Sequence, residues 1–410
     1  MRNRNVLISG ASIAGPALAY WLDRYGFAVT VVERAPAMRP GGQAIDVRGP
    51  ALDVAGRMGI LDAVRELSTD LRGMSVVGQD GEELFRTTER TASGGDLASP
   101  DVEILRDDLA ELIAGAGGDR IEYLFDDSIA GLEQDGDGVR VIFHGGATRT
   151  FDLVVGADGL HSNVRRLAFG PEDAYLRHLG AHLGVWTAPN LLGLRRWQTI
   201  FPVPGNAWGA MAMSVRGDTE LRVYMGFDSP GPVAYDPRDV RDQKRLLASR
   251  FADAGGEIPR LLETMRDAPD FHFDAMAQIH MDAWSRGRVV LLGDAGYCGS
   301  PASGQGTSMA MVGAYVLAGE LKAADGDHRA AFAAYESGLR GFVTANQELA
   351  IANAARNRDR FAAEIGATEA GATETGAAET GATEMGAAGA GEERMDDVYA
   401  VTNSYKLRDY

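Results

Sequence analysis

The stretch Val6-Leu7-Ile8-Ser9-Gly10-Ala11-Ser12-Ile13-Ala14-Gly15-Pro16 decides how the rest of the chain is read. Residues 6–9 are a short apolar run, residues 10–15 a glycine-punctuated turn, and residues 16–25 have helical spacing. Proline suits a first helical turn, where its missing N–H has no partner to lose. Gly26 ends the helix and residues 28–32 form a second, β-branched run. Strand, helix and strand in this order make a parallel unit. Residues 10–15 fit a dinucleotide fingerprint with Ser12 at the middle glycine. Gly10 permits the tight turn, Ser12 is small enough for a pyrophosphate to approach, and Gly15 lets helix and strand pack closely. The phosphates would meet the positive end of the helix that begins near Ile13 and Ala14. Glu33 closes the second strand, where its carboxylate can accept from a ribose hydroxyl. The fingerprint alone leaves NAD and FAD both open.

Working outward, 410 residues are too many for one simple core and predict two domains, interleaved along the chain. A hydrophobic fraction of 45% and a charged fraction of 24% are those of a globular protein. No apolar run nears the roughly 20 residues of a membrane span, and residues 6–19 are too glycine-rich for a signal peptide. A cytoplasmic location is therefore the expectation. The formal charge of −18 argues against nucleic acid and anionic membranes as partners. Cys298, the single cysteine, excludes an internal disulfide and reads as a small buried filler.

The chain divides into discontinuous pieces. Residues 1–72, 98–171 and 276–326 read as an α/β, Rossmann-like domain. Residues 73–97 and 172–275 read as an antiparallel-sheet substrate domain, with a hairpin turning at Asp80-Gly81 and a helical patch over 237–268. Residues 327–365 are a long C-terminal helix. Residues 366–394 are low in complexity, and a glycine at every fifth position from 366 to 391 opposes a stable helix. Residues 395–410 regain apolar and aromatic side chains and form a docking tail.

Two further motifs follow the fingerprint at a distance. One is Val154-Val155-Gly156-Ala157-Asp158-Gly159, followed by Ser162 and Arg165. The other is Leu291-Leu292-Gly293-Asp294-Ala295, leading to Ser300-Pro301-Ala302-Ser303-Gly304-Gln305-Gly306. The three motifs in this order resemble the p-hydroxybenzoate-hydroxylase-type (group A) flavin monooxygenases. The wording around Gly10, the stretch Gly41-Gly42-Gln43-Ala44-Ile45-Asp46 and the ending Leu407-Arg408-Asp409-Tyr410 are similar to the tetracycline-degrading subgroup. The likeness spans nearly the whole chain except 366–394.

That resemblance implies FAD as the bound cofactor, NADPH or NADH as reductant and O2 as co-substrate. A flavin C4a-hydroperoxide would pass a hydroxyl to a phenolic, polyketide or other fused-ring molecule, as in secondary metabolism. It implies that Glu33 holds the adenosine ribose and Arg34 lies beside the adenine end. Arg106 touches the FAD chain, and Asp158 braces the FAD-side loops. Asp294 binds the ribityl hydroxyls, while Pro301, Gly304 and Gly306 pass the flavin ring. No catalytic acid or base declares itself. Departures are Ala295-Gly296-Tyr297 where the family often has alanine-histidine, Thr307-Ser308 where an asparagine is usual, and Gly313 where an aspartate is common.

A substrate wall is expected on the sheet over 175–227. Met211, Met213, Tyr224 and Phe227 are the residues named for it, and Arg195, Arg196 or Arg222 would meet an anionic substrate. Alternation puts Met211 and Met213 on one face and Met225 and Phe227 on one face, without choosing between faces. His178 and His182 lack a third ligand, so no metal site is expected. Two other functions share the fold. A flavin-dependent halogenase needs a lysine near its substrate and a Trp-x-Trp-x-Ile-Pro stretch, which Trp197-Gln198-Thr199-Ile200-Phe201-Pro202 only approaches. A non-catalytic FAD-fold protein would bind a partner enzyme's product. The chain is expected to be a monomer or homodimer.

Overall fold

The computed structural model describes residues 3–236, 239–371 and 400–410. A six-stranded sheet carries the first domain. Its order is Ser285–Arg286, Val289–Leu291, Leu153–Gly156, Asn5–Ser9, Ala28–Val32 and Glu122–Leu124, parallel except at the first pair. The four central strands are Val-, Leu- and Ile-rich runs buried on both faces, as a parallel sheet covered by helices requires. Helices Ala14–Arg24 and Gly306–Ala323 pack on it against each other. The sequence predicts three or four strands over 121–156, and the structure has five, because residues 148–151 and 153–156 are separate strands in different sheets.

The second domain is a seven-stranded sheet. Its order is His272–Ile279, Leu176–Pro189, Glu220–Asp228, Asn206–Val215, Gln198–Val203, Met74–Val77 and Glu83–Thr87. All neighbours are antiparallel except Gln198–Val203 with Met74–Val77. The last stretch of this sheet runs to Ile279, beyond the expected boundary at 275. One face is covered by helices Val240–Arg250 and Ile258–Asp267, which bury Leu247, Leu261 and Met265 against Trp186, Val223 and Met225. The other face turns toward the first domain, where Met213 and Val215 meet Leu71 and Leu105.

A two-stranded ribbon, Ala44–Val47 with Val102–Leu105, lies between the domains. Ion pairs fasten them as well: Arg216 of a substrate-domain turn meets Asp107 at 3.0 Å and Asp108 at 2.6 Å. His161 bridges Glu172 at 2.8 Å and Asp274 at 3.0 Å. The long helix spans His328–Gly371 and so passes the expected end at 365. Once a helix is nucleated, each added residue costs little, and two glycines at about 1 kcal/mol each do not stop it. The expectation of a non-helical segment fails for 366–371; residues 372–394 lie outside the described residues. Of the docking tail, residues 400–410 are described and lie against the body. Among the described residues no helix is long and apolar enough to cross a membrane.

Candidate flavin site

Gly10 ends its strand with φ of +108°. A Cβ there would stand 2.8 Å from the Ala157 carbonyl carbon and 3.1 Å from the Asp158 Cα. Any side chain would therefore push apart the first and second motifs, which meet at the carboxyl ends of adjacent strands. A Cβ on Gly15 would collide with the Gly10 carbonyl oxygen, so helix Ala14–Arg24 packs as closely as the fingerprint implies. No side chain caps that helix, leaving its first N–H groups to the turn. Glu33 is drawn to the same turn: its carboxylate accepts from Ala11 N at 2.8 Å and Ala35 N at 2.9 Å. Arg34 is exposed beside it.

Arg106 follows the ribbon strand and is 4% exposed. Its guanidinium donates to Ser12 Oγ at 3.3 Å, Arg39 O at 2.7 Å and Gly41 O at 2.5 Å, and its Nε has no hydrogen-bond partner among the described residues. Desolvation, with Arg39 nearby, lowers its pKa to about 10. A buried cation so placed is short of negative charge, which a pyrophosphate in the fingerprint would supply.

The Asp158 carboxylate accepts from Ser162 Oγ and from Val164 N at 3.0 Å, capping helix Asn163–Ala168, and burial raises its pKa. Arg165, fully buried one turn later, donates to Ala295 O at 2.9 Å and so joins the second motif to the third. In the third, Gly293 has φ of +63°, and a Cβ on it would lie 3.3 Å from the Ala14 Cβ. Asp294 thus stands beside the start of the fingerprint helix. Desolvation raises its pKa although the residue is open to solvent. Pro301–Ser303 form one 3₁₀ turn, Gly304 has φ of +63°, and helix Gly306–Ala323 begins without a side-chain cap. A Cβ on Gly306 would meet open space. Gly10, Ser12, Gly15, Glu33, Arg106, Asp158 and Gly293 therefore meet around the turn at 10–15, and this donor set fits a dinucleotide.

The sequence assigned no role to the cluster on the other side of the loop. Arg48 is buried, with Nη2 3.0 Å from Asp46 Oδ2 and Nε 3.6 Å from Asp101 Oδ2. A Cβ on Gly304 would lie 3.4 Å from Arg48 Nη1 and 3.8 Å from Asp46 Oδ2. Burial pushes Asp46 up to about 7 and raises Glu103, which accepts from Thr69 Oγ1 at 2.7 Å. The Asp46 carboxylate thus pairs with Arg48, and the like charge of Glu103 stands opposite it on the neighbouring strand, 57 positions away in sequence.

Two of the departures meet at one point. Tyr297 stands in place of the family's histidine, and a Cβ on Gly313 would overlap its hydroxyl. That hydroxyl is 2.9 Å from Tyr335 Oη, which also reaches Leu291 O at 3.1 Å.

On the substrate sheet, Met211 pairs with Tyr224 and Met213 with Arg222 across neighbouring strands, all on the face turned to the first domain. Met211 is half-buried, Met213 fully buried among Leu71, Leu105 and Val215, and Tyr224 Oη accepts from Ala44 N at 2.7 Å. Phe227 is misplaced by the sequence reading: it lies on the opposite face, under the two helices, its ring near-parallel to those of His182 at 5.4 Å and Phe273 at 6.1 Å. Of the three arginines, Arg195 is exposed and Arg196 pairs with Asp70. Arg222 is 2% exposed; among the described residues its Nε and Nη1 have no hydrogen-bond partner, and Asp270 Oδ2 lies 3.6 Å from Nη1.

A fingerprint turn, an under-compensated arginine and a carboxylate beside the fingerprint helix define a dinucleotide-binding fold, and its likeness to known proteins makes it a flavin-binding one. The chain belongs to the FAD binding domain family, which it matches over residues 3–337. It is 56% identical over 346 residues to an uncharacterised protein of Mycobacterium tuberculosis (strain ATCC 25618 / H37Rv), covering 84% of this chain and 92% of that one. It is 40% identical over 353 residues to a flavin-dependent monooxygenase of Legionella longbeachae serogroup 1 (strain NSW150), covering 85% and 88%. The crystal structure of tetracycline destructase Tet(51) aligns with a TM-score of 0.84 at 35% identity, over 99% of both chains. That of Tet(55) aligns at 0.83 and 38%, over 100% and 99%. The protein is an FAD-dependent monooxygenase of the group A type, similar to the tetracycline destructases.

Proposed function

We propose that the protein uses NAD(P)H and O2 to hydroxylate a fused-ring or phenolic small molecule that carries an acidic oxygen. The observation that carries this is Arg222. It lies on the sheet face turned to the first domain, opposite Met213 and one pair along from half-buried Met211; among the described residues its Nε has no hydrogen-bond partner and its Nη1 has only the distant Asp270 carboxylate, at 3.6 Å. A buried guanidinium recognises a deprotonated phenol, enol or carboxylate through a charge-assisted fork. Met211 supplies adaptable apolar contact for flat rings.

FAD would be held by the turn at 10–15, Glu33, Arg106 and Asp294, and when bound supplies the reductive activation of oxygen. The chain's own residues do the rest. The sheet and the 299–306 loop shield the reacting atoms from water, and the first amides of helix Gly306–Ala323 stabilise negative charge. Asp46, held near neutrality by burial, is placed to hold or release a proton beside Gly304. Halogenation lacks its lysine: Lys244 Nζ donates to Ala268 O at 2.9 Å on the helix-covered side, Lys322 lies over Tyr25, and Lys406 is in the tail.

The test is oxygen-18 labelling over a panel of phenolic and polyketide substrates, repeated with Arg222→Gln. Label from O2 in the product, with KM raised about tenfold or more for acidic substrates while FAD stays bound, is the expected result. Label absent from every product excludes oxygenation. An unchanged KM removes Arg222 from recognition.

A further inference from the structure

We propose that Thr402, in the C-terminal tail, is a positioning residue for the loop at 299–306, acting through Gln305. This rests on reading that loop as the one facing the flavin. Gln305 lies between Gly304 and Gly306 and is fully buried. Its Nε2 donates to Thr402 Oγ1 at 2.6 Å, and its Oε1 has no hydrogen-bond partner among the described residues. Thr402 is 1% exposed. One contact across 97 positions of sequence therefore fixes the amide at the turn that starts helix Gly306–Ala323. The tail presses on the same place from a second side. A Cβ on Gly49 would stand 2.8 Å from Thr402 O, and Gly49 adjoins Arg48, whose Nη1 approaches Gly304.

The other end of the tail grips the other end of that helix. Arg408 and Tyr410 both donate to Glu320 Oε1 at 2.7 Å, and Tyr315 Oη donates to Arg408 O at 2.7 Å. The Tyr410 ring occupies the space a side chain at Gly319 would need. From 305 to 320 a helix rises about 22 Å, a span that eight extended residues cover at about 27 Å. The tail is thus long enough to hold the helix at its N-terminal turn and its last turn together. From the long helix, Asn353 Nδ2 donates to Ala302 O at 3.0 Å and Gln347 Nε2 to Cys298 O at 3.2 Å. The loop is therefore tied at 298 and 302 by the helix and at 305 by the tail. Removing the tie at 305 frees the first-turn amides to rotate away from negative charge.

The test compares Thr402→Val, Thr402→Ser and Tyr410→Phe in the full-length holoprotein. It reads FAD affinity, the two-electron midpoint potential of the flavin and the urea midpoint. Thr402→Val keeps the shape and deletes the hydroxyl. It is expected to weaken reduced flavin about tenfold more than oxidised flavin, a potential lower by about 30 mV. Thr402→Ser restores the potential, and Tyr410→Phe lowers the urea midpoint without moving it. Gln305→Met, which removes the amide from the loop side, reproduces the Thr402→Val shift. An unchanged potential in both Thr402→Val and Gln305→Met, with FAD bound, overturns the proposal. Failure of the unaltered protein to bind FAD overturns the reading of the site instead.

Discussion

Gly313→Ala is the substitution whose outcome the structure determines most sharply. In an open helix interior, alanine for glycine stabilises by up to about 1 kcal/mol. Here the new methyl would overlap Tyr297 Oη and lie 3.0 Å from Leu292 Cδ1. Tyr297 cannot yield, because it is 1% exposed and packs 4.5 Å from the Trp284 ring centroid. Overpacking of this kind costs about 1–3 kcal/mol, so the net effect is a loss of about 1–2 kcal/mol. Tyr297→Phe alone loses one hydrogen bond, about 1 kcal/mol, since Tyr335 keeps Leu291 O. In the double variant the oxygen is gone, the methyl faces the ring carbon Cζ at 3.5 Å, and the remaining 3.0 Å contact is with the flexible end of Leu292, which needs to shift by only a few tenths of an ångström. Alanine at 313 should then be neutral or stabilising. The cycle predicts a coupling of about 2 kcal/mol, read from urea denaturation of all four proteins saturated with FAD. If Gly313→Ala costs the same with and without the Tyr297 hydroxyl, the account of this pair is wrong.

Three further outcomes follow from the same geometry. Asp294→Ala and Gly10→Val should each strip the purified, yellow protein of most of its FAD, measured by absorbance after gel filtration; full occupancy in both would refute the cleft. The Asp274 and Glu172 carboxylates raise His161 from 6.5 to about 10, so its bridge stabilises fully below about pH 6.5 and loses that contribution as pH rises through 10. With the ring half in solvent the bridge is worth only about 1 kcal/mol; His161→Gln should be less stable than the parent at pH 6 and equal to it above pH 10, and a gap that widens with pH contradicts the assignment. Deleting residues 372–391, polar and glycine-spaced, should leave flavin content unchanged and Tm within about 5 °C, because little apolar surface is available there to bury; a larger fall shows that the segment packs.

What could be read in the sequence was whatever the backbone must do locally. Gly10, Gly293 and Gly304 sit at φ values that side chains avoid; the fingerprint spacing marks Gly10, and the motifs that carry the family resemblance mark the other two. Strand alternation likewise paired Met211 with Met213 and Met225 with Phe227. It could not say which face meets the cleft, because that is decided by helices Val240–Arg250 and Ile258–Asp267 covering Phe227's side. The helix past residue 365 was missed for a related reason: propensity judged each glycine singly, whereas the helix continues as a cooperative unit.

The rest of the site was hidden because it is made of polar side chains choosing partners far along the chain. Asp46 and Glu103, Gln347 and Cys298, and Thr402 and Gln305 leave no period or motif behind them. The same limit distorts how departures are judged. Read singly, Gly313 and Tyr297 are two losses from a family pattern, an absent aspartate and an absent histidine. In space they are one exchange, since a bulky phenol reaching Tyr335 needs the room that only a glycine at 313 leaves. The exchange ties the motif bearing Asp294 to the long helix through Tyr335, as Gln347 and Asn353 tie the loop that follows. The cofactor loops thus take their placement from residues beyond 327, which carry none of the three motifs.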